Sequence, residues 1–229
     1  MKKIIILIIA SMLSSCGAIS ILSMAKTLIT TDLDRRTIGS IADDELIDLS
    51  LEAWATNDKK LKNAHLNFNL YNKNLLITGE VPSLEVKKYL INHISLNYGK
   101  VNNVRDAIKI ALASSFLDRA KDKLIDGKIK LSFNSQEVFN PVHINYHTEN
   151  TVVYLMGDVT AREGKKVGLV VARIDGVSGV VKYFNYIDKV PQKEIDRAKS
   201  RADRKARMAL ENSESVGKHL VFIKEKPPQ

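Results

Sequence analysis

Apolar and polar positions follow the same pattern twice along this chain. His65-Leu66-Asn67-Phe68-Asn69-Leu70-Tyr71 leads through Asn72-Lys73 into Asn74-Leu75-Leu76-Ile77-Thr78-Gly79-Glu80-Val81. This predicts a β-hairpin that turns near Asn72 and has a second strand closed by a glycine. The same pattern returns 78 residues later without a gap. There it reads His143-Ile144-Asn145-Tyr146-His147-Thr148-Glu149-Asn150-Thr151-Val152-Val153-Tyr154-Leu155-Met156-Gly157-Asp158-Val159. His, Asn, Asn, Gly and Val recur at matching positions, and apolar residues answer apolar residues.

Helical spacing takes over after each hairpin. Pro82-Ser83 opens the first helix, with Val86, Leu90 and Ile94 as its buried stripe. Thr160-Ala161-Arg162-Glu163 is a capping box for the second, followed by Val167, Val170, Val171 and Ile174. Turns at Gly99-Lys100-Val101 and Gly176-Val177-Ser178-Gly179 then lead into strands over 104–110 and 180–187. Each unit also has a leading helix. Asp43 or Asp44 is the expected cap of the first, with Ile47, Leu51 and Trp54 on one face. Phe116, Ala120 and Leu124 share one face of the second. The fold expected is α+β, two tandem α-β-β-α-β units.

A basic helical tail follows over 193–212. Lys193, Arg197, Lys199, Arg201, Arg204, Lys205 and Arg207 outweigh Glu194, Asp196, Asp203 and Glu211, for a net +3. Ala198, Ala202, Ala206 and Leu210 make only a weak apolar stripe, so the tail reads first as a solvated helix.

The start of the chain changes the picture from domain to address. Met1-Lys2-Lys3 precedes the apolar run Ile4-Ile5-Ile6-Leu7-Ile8-Ile9-Ala10, which is too short to span a bilayer and has the layout of a secretory signal. Leu13-Ser14-Ser15-Cys16 resembles the bacterial lipobox. That resemblance implies cleavage before Cys16 and covalent N-acyl and S-diacylglycerol lipid on it. In the lipoproteins this signal resembles, aspartate after the cysteine favours the inner membrane, so with Gly17 there the resemblance implies an outer-membrane anchor facing the periplasm. Cys16 is the sole cysteine, so disulfides and thiolate zinc sites are excluded. Removing Lys2 and Lys3 with the signal lowers the net charge from +9 to +7. In that compartment anionic lipid is a more accessible partner for a basic surface than nucleic acid.

The repeated unit resembles the BON domain, most specifically in Tyr154–Glu163 and in Gly176-Val177-Ser178-Gly179-Val180. The order lipobox, short tether, two units is similar to the division and outer membrane stress-associated lipid-binding lipoproteins. Thr31-Asp32-Leu33-Asp34-Arg35-Arg36-Thr37-Ile38-Gly39 is similar to theirs as well. The expected organisation is a signal peptide (1–15), a lipidated tether (16–42), BON units at 43–112 and 113–190, and the basic helix and tail (191–229). A loop at 133–141 departs from the family pattern. The resemblance implies a lipid-facing first helix in the second unit, about residues 114–125. Phe116, Leu117, Arg119, Lys121 and Lys123 would meet phospholipid there, with Asp118 and Asp122 opposing. Packing of Phe116 beside Ala120 and Leu124 in the core is the competing reading.

Candidate chemistry adds little. His65 and His143 occupy equivalent strand positions in separate units and read as structural. Gly176-Val177-Ser178-Gly179 joins a helix to a strand, unlike a nucleic-acid-clamping GxxG loop between two helices. No nucleophile elbow, HExxH or paired-carboxylate pattern is present, and no cofactor or metal is implied. Two functions remain. One is a non-catalytic lipoprotein whose BON units bind anionic phospholipid and help maintain envelope integrity. The other is a periplasmic adaptor that binds proteins of envelope or outer-membrane protein assembly. Nothing in the sequence sets an oligomeric state.

Overall fold

The computed structural model describes residues 34–224, with 213–224 as backbone alone. The signal peptide, Cys16 and most of the expected tether lie outside the described residues. The chain divides into two compact units, one ending at Ile187 and the other beginning at Asp188.

The first unit holds two copies of one motif. Copy one is α1 (Ile38–Asn57), β1 (His65–Tyr71), β2 (Asn74–Val81), α2 (Leu84–Asn97) and β3 (Asn103–Ile110). Copy two is α3 (Phe116–Phe133), β4 (Ile144–Glu149), β5 (Val152–Val159), α4 (Ala161–Val171) and β6 (Gly179–Tyr186). In each, the middle strand pairs antiparallel with the first and parallel with the last. The protein is therefore α+β with two α-β-β-α-β units, as its periodicity requires.

Both hairpins turn on two residues in left-handed backbone: Asn72 and Lys73 (φ 50° and 61°), then Asn150 and Thr151 (φ 51° and 63°). This is the turn whose twist suits adjoining strands, and asparagine tolerates it better than most residues. The repeated glycines answer a different demand. A Cβ on Gly79 (φ 111°) would stand 2.0 Å from the His65 carbonyl oxygen. One on Gly157 (φ 154°) would stand 2.2 Å from that of His143.

One expected cap is corrected. Thr37, rather than Asp43 or Asp44, caps α1, its hydroxyl accepting the Ser40 amide at 3.1 Å. The helix therefore starts before both aspartates. Asp44 turns inward and accepts the amides of Asn72 (2.7 Å) and Lys73 (2.8 Å). Asp43 pairs with the Lys73 ammonium at 3.1 Å. The capping box on α4 forms as read, with the Thr160 hydroxyl and Glu163 carboxylate each taking the other's backbone amide.

Each sheet covers one face with its two helices. Ile47, Leu51, Leu90 and Ile94 pack on Phe68, Leu70, Leu75, Ile77 and Ile108. Ile125, Ile129, Phe133, Val167 and Val171 pack on Ile144, Val153, Leu155 and Val159. The segment after α3 joins this second core, where Phe139 meets Phe133 edge-on with ring centres 5.0 Å apart. The other faces of the two sheets meet each other. Tyr71 and Leu76 of copy one pack on Tyr154 and Met156 of copy two. The sheets thus form a seam between the helical layers.

The second unit contains the helix α5 (Gln192–Lys224), within which the expected basic tail falls. Residues 193–212 are almost wholly solvent-exposed, which fits their weak apolar stripe.

Candidate membrane-facing site

Helix α3 carries every lipid-contact residue expected from the sequence. Ser115 starts it, its hydroxyl accepting the Asp118 amide at 3.2 Å and donating to the Asp118 carboxylate at 2.7 Å. Asp122, Ile125, Ile129 and Phe133 form the buried face. Phe116 and Leu124 are not on it. Phe116 is 76 % exposed, Leu117 70 %, Leu124 68 % and Leu131 73 %. Phe116 and Leu124 are therefore turned outward while Ala120 between them is half-buried, and core packing of Phe116 is excluded. Leu117, Leu124 and Leu131 recur every seven residues, so they project from nearly one side of the helix. Leu112, just before it, is also exposed.

Cations border this apolar strip. Lys121 and Lys123 are exposed, while Arg119 is partly covered. The aspartates that the sequence sets against a negatively charged surface are all engaged. Asp122 is buried and accepts the amides of Asn150 (2.9 Å) and Thr151 (2.8 Å). Asp118 pairs with Lys121 at 3.0 Å. Hydrogen bonds from Ser115 and then Lys121 hold its carboxyl below the usual range. Asp126 takes Lys123 at 3.4 Å and the Thr148 hydroxyl at 2.7 Å. Lys128 reaches the Asp175 carboxylate at 2.8 Å. The surface is thus apolar at its centre with partly neutralised charge around it. An apolar strip bordered by cations has the composition that suits a boundary between acyl chain and headgroup.

The segment ahead of α1 is held down by both copies. Arg35 grips the Glu163 carboxylate with two bonds of 2.9 Å and donates to the Asp158 carbonyl at 2.6 Å. Burial alone would raise the Glu163 pKa, yet Arg35 and Thr160 bring it below the ordinary value. Arg36 pairs with Asp34 at 2.9 Å and Asp44 at 3.1 Å and lies 4.2 Å over the Tyr71 ring. The sequence places these residues in the tether without assigning either arginine a contact. The adjacent arginines in Asp34-Arg35-Arg36-Thr37 were the available signal.

His143 is buried in copy two, whereas the His65 side chain opens onto the seam, 3.8 Å from Glu149. Glu80 lies beside them, so one histidine and two carboxylates could hold a metal ion there.

Comparison with known proteins agrees with this geometry. Residues 121–188 match the BON domain family. The outer membrane lipoprotein DolP of Haemophilus influenzae is 26 % identical over 190 residues, covering 82 % of this chain and 97 % of that one. The 21 kDa hemolysin of Actinobacillus pleuropneumoniae is 26 % identical over 162 residues, 69 % of this chain and 81 % of that one. The C-terminal domain of CdsD, a type III secretion protein of Chlamydia trachomatis, is 14 % identical, covering 63 % of this chain and 67 % of its own. Its TM-score is 0.26. Copy one has the element order and pairing of the matched copy two. Residues 121–188 are a BON domain, and the chain as a whole is similar to an outer membrane lipoprotein over most of its length.

Proposed function

We propose that this protein is a non-catalytic lipoprotein of the outer membrane, anchored through Cys16 and facing the periplasm. Its second BON unit would lay helix α3 on anionic phospholipid and so help maintain envelope integrity. The observation that carries the reading is the exposure of Phe116, Leu117 and Leu124 along one helix beside Arg119, Lys121 and Lys123. Rings and leucines of this kind gain free energy by entering the boundary between headgroup and acyl chain, and cations nearby meet phosphates. With Asp122 buried beneath the helix, the negative charge facing lipid is less than the sequence suggests. The relationship to an outer membrane lipoprotein supports the location.

The test is flotation of residues 31–229, lacking the acyl anchor, with liposomes of phosphatidylglycerol or of phosphatidylcholine. Binding to the anionic vesicles alone, weakened by salt, is expected. Binding in neither case, with recovery only in the presence of an envelope protein, would favour an adaptor and reject the lipid reading.

A further inference from the structure

Among the described residues, the seam between the two sheets encloses two carboxylates that no lysine or arginine pairs with. Glu80 of β2 and Glu149 of β4 are only 3 % and 4 % exposed. Among the described residues, the ion-pair partners of Glu149 are imidazoles, His65 Nε2 at 3.8 Å and His147 Nε2 at 3.5 Å. Glu80 is held by neutral donors, the Ser114 amide at 3.1 Å and the Asn150 side chain. Asn150 also reaches Glu149 at 3.3 Å, and Asn67 Nδ2 donates to Glu149 at 2.7 Å. Amides satisfy the lone pairs of the carboxylates but leave their charge. Two carboxylates out of water at this spacing need a counter-charge, because their mutual repulsion adds to the cost of desolvation.

We infer that His65 Nε2, Glu80 and Glu149 form a divalent-cation site that joins the two BON units, with zinc as its fitting occupant. The three ligand atoms lie within 4.8 Å of one another. Closing on an ion at roughly 2.1 Å requires each to move by less than about 1 Å. Imidazole with two carboxylates suits zinc, whereas calcium and magnesium take oxygen alone. Asn67 Nδ2 stands 3.2 Å from His65 Nε2, so in the tautomer whose Nε2 accepts, a metal ion would take the lone pair in place of the Asn67 amide. Turning the Asn67 amide over would offer its carbonyl oxygen as a fourth ligand. Thr78 adds a separate sign of unmet polar demand in the seam. It lies across from Asn67 on the strand face that carries Glu80, is wholly buried, and has a hydroxyl without a partner. A cation shared by Glu80 of one copy and Glu149 of the other would neutralise the seam and fasten the sheets together.

The test uses the purified full-length protein in detergent, without a histidine tag, stripped with chelator and titrated with zinc chloride. Bound metal is counted by elemental analysis after gel filtration, and melting is followed by circular dichroism. One zinc per chain and a rise in Tm of several degrees are expected in the wild type. His65→Asn and Glu80→Gln should each weaken binding at least tenfold and abolish the rise in Tm. The two variants leave different ligands intact, so a folding failure of one leaves the other to decide. A folded wild type that binds no zinc, or variants that bind it as tightly as wild type, would overturn the site.

Discussion

The carboxylate of Asp122 in α3 accepts the backbone amide of Asn150, 28 positions along the chain, at 2.9 Å. Its other oxygen takes the amide of Thr151, and Asp44 does the same for Asn72 and Lys73 in copy one. An acidic residue on the leading helix thus clamps a left-handed turn whose two amides point into the protein. The 78-residue repeat therefore includes one aspartate per copy that faces inward. Replacing Asp122 by alanine should lower stability by about 2–4 kcal/mol, the loss of two hydrogen bonds to a charged acceptor. Urea unfolding measures it. A midpoint unchanged from wild type would show that the clamp is redundant.

The Arg35–Glu163 pair is nearly dry, with side chains 3 % and 8 % exposed. Arg35→Met should cost about 3–5 kcal/mol at pH 7, since Glu163 would be left buried without its main counter-charge. The Glu163 pKa is lowered on folding, so its contribution is complete above the ordinary carboxylate range and disappears as pH falls through the lowered value. The gap between wild type and variant should therefore narrow below about pH 4 in thermal melts.

Asp48 has the opposite sign. Burial first, then Glu52, Glu45 and Asp44, push its carboxyl up to about 7, and one of its oxygens is buried without a partner. The folded state holds that proton more tightly than the unfolded chain, so ionisation costs stability as pH rises from about 4 towards 7. Asp48→Asn should stabilise the protein above pH 7, on the order of 1–3 kcal/mol once partial solvent screening is allowed for. It should give no gain near pH 4. Melting curves at pH 4, 6 and 8 separate these outcomes.

On α3, Phe116→Ala and the double substitution Leu117→Ser, Leu124→Ser remove side chains that are largely exposed. Each should leave Tm within about 2 °C of wild type, since surface changes of this kind move stability little. Each should also weaken binding to phosphatidylglycerol vesicles about tenfold, the equivalent of about 1.4 kcal/mol of lost insertion. Arg119→Glu should weaken it chiefly at low salt. Flotation at two salt concentrations reads both effects. Equal binding by all these variants would remove α3 from the contact.

Local physics made much of this protein legible from its sequence. Period-two and period-3.6 patterns, a capping box at Thr160 and glycines at 79 and 157 depend on neighbours within a strand, a turn or a helical turn. They specified two α-β-β-α-β copies without reference to any distant residue. Three other features depended on contacts the linear pattern does not encode. The buried side of α3 carries Ile125, Ile129 and Phe133 together with Asp122, a charged residue drawn inward by the amides of a turn, and this leaves Phe116 and Leu124 in solvent. The start of α1 was settled by Thr37, since Asp44 was needed elsewhere. The grouping of His65 with Glu80 and Glu149 exists only because two sheets from different copies lie face to face. Hydrophobic periodicity locates each sheet's helix-facing side, but the match between their opposite faces is a property of assembled surfaces.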